Sequence, residues 1–244
     1  MLLTIKNLIA HAEDKKILNG VDLQIPAGET HILMGRNGSG KSTLLGAIMR
    51  SPRLSVNGKV EFDGRDISTL PTEQIASAGI FLGPQTTPSI EGLSYSTLLK
   101  HSANALALAR GEKELLAPEF FRLARENCAL LGIPEGWLAR HVGEGFSGGE
   151  KKRLQMLLML FFKPRLAMLD EPDSGVDVEA IEVIAKAVKH LAALGTSFLI
   201  VSHYDRLIKA IAPHKVHVMQ DGLITRTGGP ELAAEIDTKG FGDA

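Results

Sequence analysis

Three glycines at 35, 38 and 40, followed directly by Lys41 and Ser42, complete the pattern G-x-x-x-x-G-K-[ST] in Gly35-Arg36-Asn37-Gly38-Ser39-Gly40-Lys41-Ser42, and Thr43 adds a second hydroxyl. Glycine has no Cβ, so such a loop can turn tightly and aim its backbone N–H groups at phosphate oxygens. Lys41 would set a point charge on the β and γ phosphates of a nucleotide, and the Ser42 hydroxyl would take one position on Mg²⁺. The chemistry implied is binding of a nucleoside triphosphate with its metal. The loop alone does not say what hydrolysis would drive.

Hydrolysis needs a further oxygen ligand for the metal and a group that orients or deprotonates the attacking water. The run Leu166-Ala167-Met168-Leu169-Asp170-Glu171 closes an apolar stretch with two acids. Asp170 would hold the metal, directly or through a water, and Glu171 would accept the water's proton. Many strands simply end in acids, so the pair gains this meaning only beside the phosphate loop. A third segment, Phe146-Ser147-Gly148-Gly149-Glu150, opens a helical pattern. Ser147 and Glu150 read as a capping box. The two adjacent glycines weaken a first turn and suit a backbone that approaches phosphate closely, so both readings stand.

The elements that must position these residues follow from periodicity. His31 to Met34 reads as a short buried strand before the loop and Thr43 to Arg50 as a helix after it, which turns the helix N-terminus toward the anion. Leu2 to Leu8 and Ile17 to Ile25 read as antiparallel strands separated by Glu13-Asp14-Lys15-Lys16, and Lys59 to Phe62 as a third strand. Pro71 to Ser77 is a short helix leading to Ile80-Phe81-Leu82, a buried parallel strand. From Leu93 to about Phe162 there is no strong strand signal, and three or four helices are expected. Strands return at Leu166 to Leu169 and Ser197 to Val201, around a helix from Val178 to Leu194. Val216 to Met219 and Leu223 to Thr227 flank Asp221-Gly222 as a hairpin, and Pro230 to Thr238 is a last helix. Alternating strands and helices predict an α/β fold, a P-loop core with a mixed, mostly parallel sheet and antiparallel N-terminal strands. One domain is expected, with residues 1–85 and 164–244 as the core and 86–163 as an inserted helical subdomain.

A chain of 244 residues can bury a substantial core. Its net charge of −1 gives no electrostatic footprint for nucleic acid. The longest apolar run, Met156 to Phe162, is far short of the about 20 residues that span a bilayer, and the N-terminus lacks the features of a secretory leader. A cytoplasmic protein without membrane insertion is expected. The single cysteine, Cys128, excludes an internal disulfide and a thiolate cage on this chain alone, and its place in a helical pattern reads as core.

Taken in order, the phosphate loop, Gln85, Phe146-Ser147-Gly148-Gly149-Glu150, Asp170-Glu171-Pro172, Ser174-Gly175-Val176-Asp177 and His203 resemble an ABC-type ATPase over the whole chain. On their own Gln85 and His203 are ordinary residues of their kind; only the order of motifs singles them out. The resemblance implies that ATP and Mg²⁺ are the ligands, that Gln85 senses the metal and couples to a partner, and that His203 contacts the γ-phosphate in cis. It also implies that Ser147 to Glu150 cap the γ-phosphate held by a second copy, in a head-to-tail ATP-sandwich dimer. Within the family, Glu13-Asp14-Lys15, Lys151-Lys152-Arg153 after the signature, Asp173 and Ser202-His203-Tyr204 resemble the SufC-type ATPases of SUF iron–sulfur cluster assembly. That resemblance implies soluble SufB/SufD-like scaffold subunits as partners. The chain departs from the family where an aromatic often stacks on adenine, since only His11 and Ala12 precede Ile17 there. For Asp173 the plain alternative is a surface acid capping the next helix.

Three acids, Asp170, Glu171 and Asp173, crowd one strand end, so a cation is expected among them, with Lys152 as the candidate ion-pair partner. Two functions remain open on the motifs: an ATPase driving shape change in a cluster-assembly scaffold, and the nucleotide-binding subunit of a membrane transporter. A nucleotide switch with incidental hydrolysis is disfavoured by the presence of both Glu171 and His203.

Overall fold

A computed structural model of the chain describes residues 1–86 and 89–241. Four strands form an antiparallel sheet in the order β2 (Lys15–Ile25), β1 (Leu3–Ala12), β4 (Leu54–Phe62), β5 (Arg65–Asp66). Leu3 stands opposite both Ile25 and Phe62, so the pairing of the first two predicted strands is as expected. They are longer than expected, because Lys15 and Lys16 join the ladder and only Glu13-Asp14 make the turn.

The second sheet has six strands in the order β12 (Leu223–Gly228), β11 (Lys215–Gln220), β3 (Thr30–Met34), β10 (Ser197–Val201), β9 (Leu166–Asp170), β6 (Ile80–Gly83). All pairs are parallel except the β11–β12 hairpin. Strands β3, β9 and β10 are buried at every position, which is why they read as unbroken apolar runs rather than as alternation. Their alternate residues serve two cores. Leu33, Met168 and Leu199 pack toward the four-stranded sheet and α1 (Lys41–Ile48), while Ile32, Leu169 and Ile200 pack toward the helices of the other face.

Those helices are α3 (Tyr95–Ala109), α4 (Ala117–Leu131), α5 (Gly148–Phe162), α6 (Val178–Ala193), α7 (Asp205–Ile211) and α8 (Glu231–Lys239), while α2 (Thr72–Ser77) lies before β6. Helix α1 begins two residues earlier than expected, at Lys41, because Gly40 adopts a left-handed φ of 106° and turns the chain directly into the helix. A two-stranded ribbon of β7 (Ile90–Ser94) and β8 (His141–Val142) sits among the helices, where no strand was expected. Cys128 is buried, and burial pushes its thiol up to about 11, the behaviour of a core residue. No described helix is long and apolar enough to cross a membrane.

Behind the phosphate loop, β3 and β11 are joined by a chain of side chains that the sequence did not announce. His31 Nε2 lies 2.8 Å from Glu29 Oε2, His31 Nδ1 2.9 Å from His217 Nε2, and His217 Nδ1 2.8 Å from Thr227 Oγ1. The Glu29 carboxylate can only accept, so His31 carries its proton on Nε2 and accepts at Nδ1. His217 then donates from Nε2 and accepts the Thr227 hydroxyl at Nδ1. Burial, then the neighbouring His31 and Lys215, push His217 down to about 4. Between that value and the ordinary 6.5, the unfolded chain binds a proton that the folded chain refuses. The corresponding stability is complete above pH 6.5 and is lost as pH falls toward 4, the loss reaching about 2 kcal/mol at pH 5. Denaturation midpoints at pH 7.5 and pH 5 are therefore expected to differ more for the native chain than for His217→Gln. An equal acid loss in both would remove His217 as the cause.

Candidate active site

The parallel strands place the motifs at one edge. Val201 is level with Asp170 and with Leu33, so the C-terminal ends of β9, β10 and β3 deliver Glu171, Ser202-His203 and Gly35 side by side. Sites in open α/β sheets form at this edge, beyond the strand ends.

The loop from Gly35 to Gly40 is braced from outside. The Gly222 N–H donates to the Ser39 carbonyl at 3.0 Å, and the Gly222 carbonyl accepts from the Asn19 N–H at 3.0 Å. Gly222 has φ 73°, and a Cβ there would meet the Ile17 carbonyl, so the β11–β12 turn can approach only as glycine. Lys41 is buried, and its ammonium donates to the carbonyls of Gly35 at 2.7 Å and Arg36 at 3.0 Å. Burial lowers its pKa, opposed by the charges of Glu171 and Asp170. The Ser39 hydroxyl is buried inside the loop with no hydrogen-bond partner among the described residues. A loop that holds a lysine and an unpaired hydroxyl fits an anion with many acceptor oxygens.

Ser42 Oγ donates to Asp170 Oδ1 at 3.1 Å, joining the phosphate loop to the end of β9. Burial raises the Asp170 pKa; the Ser42 hydrogen bond lowers it, as do Lys152 and Lys41. A hydroxyl beside a carboxylate is a hard oxygen pair of the kind Mg²⁺ takes together with phosphate oxygens. The residues therefore fit the metal.

Glu171 stands just past β9, its N–H still bonded to the Val201 carbonyl at 3.0 Å. Its φ of 44° is left-handed, a sparsely populated conformation for a residue with a side chain, and such strain concentrates at functional sites. Its two carboxylate oxygens face two predicted site residues. Gln85 Nε2 donates to Oε2 at 2.8 Å, and His203 Nε2 lies 3.9 Å from Oε1. Burial, and then the charge of Lys41, lower the His203 pKa, with Glu171 opposing. A cavity of about 280 Å³ opens here, lined by Asn37, Glu171, Asp173, Ser174, His203 and Tyr204.

Lys152 departs from expectation. It is buried, but among the described residues it enters no ion pair with the three acids; its ammonium donates to the Gln85 carbonyl at 2.7 Å. Gln155, one turn along α5, donates to the Pro84 carbonyl at 2.7 Å. The acids act on Lys152 only through their charge, opposing the lowering of its pKa by burial. Asp173 is buried too, and the cap of α6 is Asp177, which accepts from the Ala180 N–H at 2.8 Å. That removes the helix-cap reading of Asp173. Ser147 to Glu150 are not brought to the loop by hydrogen bonds: Ser147 and Glu150 bond each other as a capping box at 2.7 and 3.3 Å, opening α5 at Gly148 and Gly149.

The ABC transporter family pattern matches residues 18–174, more than half of the chain. The chain belongs to the ABC transporter family. As an ABC protein it carries an ATP-hydrolysing cassette, and the resemblance seen in the motifs holds at the level of whole sequences. A probable ATP-dependent transporter of Escherichia coli K12, SufC, is 42% identical over 242 residues, covering 99% of this chain and 98% of that protein. A probable ATP-dependent transporter of Synechocystis is 42% identical over 241 residues, covering 98% of this chain and 94% of the relative. This is thus a SufC-like ABC ATPase. Among solved structures, an ABC transporter cassette in its ADP conformation is 26% identical with a TM-score of 0.74, covering 98% of this chain and 95% of that one. A dimeric bacterial ABC transporter cassette, at 21% identity, shares the fold with a TM-score of 0.80, over 93% of this chain and 98% of its own.

Proposed function

We propose that this ABC ATPase drives conformational change in a soluble SufB/SufD-like scaffold that assembles iron–sulfur clusters. The observation that carries this reading is the 42% identity to the Escherichia coli relative named SufC, spread over 99% of the chain. In this reading the cluster is cargo assembled on the partner scaffold, and this chain supplies the ATP-driven step. Leu82, ahead of Gln85, lines an apolar groove of about 680 Å³ between α2, β6 and α3, a surface that a partner could grip next to the Gln85 loop.

In this reading Gly35 to Thr43 would hold the triphosphate, and Ser42, Asp170 and Gln85 would hold Mg²⁺. The bound metal would neutralise charge on the phosphates. Glu171 takes the proton of the attacking water and His203 Nε2 donates to the γ-phosphate. Ser147 to Glu150, at the N-terminus of α5, would meet the γ-phosphate held by a second copy, where a helix dipole favours an anion. The signature helix belongs to residues 86–163, which in this reading form a helical unit inserted between residues 1–85 and 164–244.

The second reading, the nucleotide-binding subunit of a membrane transporter, is favoured by the names of the relatives, which describe probable transporters. Affinity purification from the native cell separates the two. The expected result is recovery of soluble scaffold proteins whose addition raises ATP turnover. Recovery of an integral membrane permease would overturn the assembly role and leave the ATPase intact.

A further inference from the structure

Glu171 and His203 sit on different turns, one after β9 and one after β10, and both must face the same reacting atoms. One buried hydroxyl joins those turns. Ser202, the residue before His203, donates from Oγ to Oδ2 of Asp173, two residues after Glu171. The same Oγ accepts from the Tyr204 N–H at 3.2 Å, on the other side of His203. Ser202 is 0% exposed and Asp173 1%. The hydroxyl is thereby fixed from both sides, and it brackets His203 in the backbone.

Burying a carboxylate is costly unless something compensates it. Asp173 enters none of the ion pairs found among the described residues, and burial pushes it up to about 6, with the Ser202 hydrogen bond opposing. A serine or threonine would fill this position at less cost. Among the described residues His203 has little else to hold it: its Nε2 is buried without a hydrogen-bond partner there, and Phe241 packs edge-on to its ring at 6.2 Å.

We propose that the Ser202–Asp173 hydrogen bond is a staple between the two turns, which sets the 3.9 Å separation of His203 Nε2 and Glu171 Oε1. Asp173 and Ser202 are positioning residues in this view and need touch no substrate. The proposal rests on the reading of Glu171 and His203 as the reacting groups.

The test measures kcat and KM for ATP, with thermal midpoints, on the full chain carrying Asp173→Ala, Asp173→Asn, Ser202→Ala and the double alanine change. Misplacing a reacting group by about 1 Å can cost about 100-fold, so Asp173→Ala is expected to lower kcat by roughly tenfold to 100-fold, with KM changed less than about twofold. Asp173→Asn keeps an oxygen that accepts from Ser202 and is expected to restore most of the turnover. The double change should be no worse than the worse single one, because both remove the same contact. Native kcat in Asp173→Ala, an asparagine variant as impaired as the alanine one, or additive losses would each overturn the staple. If Asp173→Ala does not fold, the Asn variant and Ser202→Ala decide by the same criteria: full turnover in Ser202→Ala overturns it. Glu171→Gln in the same assay separates the two layers. Turnover surviving that change sinks the site reading itself, whereas its loss beside an unaffected Asp173→Ala sinks only the staple.

Discussion

Replacing Glu171 with glutamine is expected to lower ATP turnover by about 10²- to 10⁴-fold, the usual contribution of a positioned general base. ATP affinity should hardly change. The glutamine keeps the size of the side chain and one acceptor oxygen for the Gln85 amide, which donates to Glu171 Oε2 at 2.8 Å. Because Glu171 already occupies a left-handed conformation, with φ 44°, the substitution relieves no strain and adds none; the loss is chemical. Single-turnover hydrolysis with nucleotide binding measured in parallel checks this. A variant that binds ATP and hydrolyses it at the native rate would assign the water to another group. If two copies close around ATP as proposed, the same protein should gather as a dimer on adding ATP with Mg²⁺, which light scattering would register.

Lys41→Ala has the second large effect, on binding rather than on chemistry. The Lys41 ammonium donates to two carbonyls of its own loop, those of Gly35 and Arg36. Its removal takes away both the charge offered to the phosphates and the clasp that keeps the loop curled. Counting only one lost hydrogen bond from the charged ammonium to phosphate, about 1.5–3 kcal/mol, ATP affinity is expected to fall by roughly tenfold to 150-fold. Titration calorimetry with ATP and Mg²⁺ checks it. Native affinity in a folded Lys41→Ala protein would show that the backbone N–H groups suffice.

The strands that position the site were legible because β3, β9 and β10 are buried on both faces, and a stretch with no polar side to show reads as a continuous apolar run. The phosphate loop and the two acids were legible because phosphate and metal chemistry restrict residue type and spacing together. Other features escaped. The β7–β8 ribbon has a partner of only two residues, His141–Val142, too short to display alternation. The short helix Asp205–Ile211 follows the His203 turn directly and offers less than two turns of pattern. Lys152 was expected among Asp170, Glu171 and Asp173, because three acids crowded at one strand end call for a cation. Its burial arises because α5 lies against the Gln85 loop, where a carbonyl at 2.7 Å takes the ammonium. That placement depends on tertiary packing, which no local spacing encodes. Asp173 stands out in the sequence through its resemblance to the SufC-type ATPases, but its partner Ser202 lies 29 positions away.

The chain of imidazoles from Glu29 to Thr227 supplies the molecule with a spectroscopic probe of its own. The proton on His217 Nε2 lies in a 2.9 Å hydrogen bond to His31, between two rings with almost no solvent contact. A proton so sheltered exchanges slowly and should give a resolved, far-downfield imidazole resonance at neutral pH. Because His31 stands on β3, immediately behind the phosphate loop, that one line reports on the strand that carries the loop. Its shift and exchange rate would record how nucleotide or a partner alters the floor of the site, without any label being introduced.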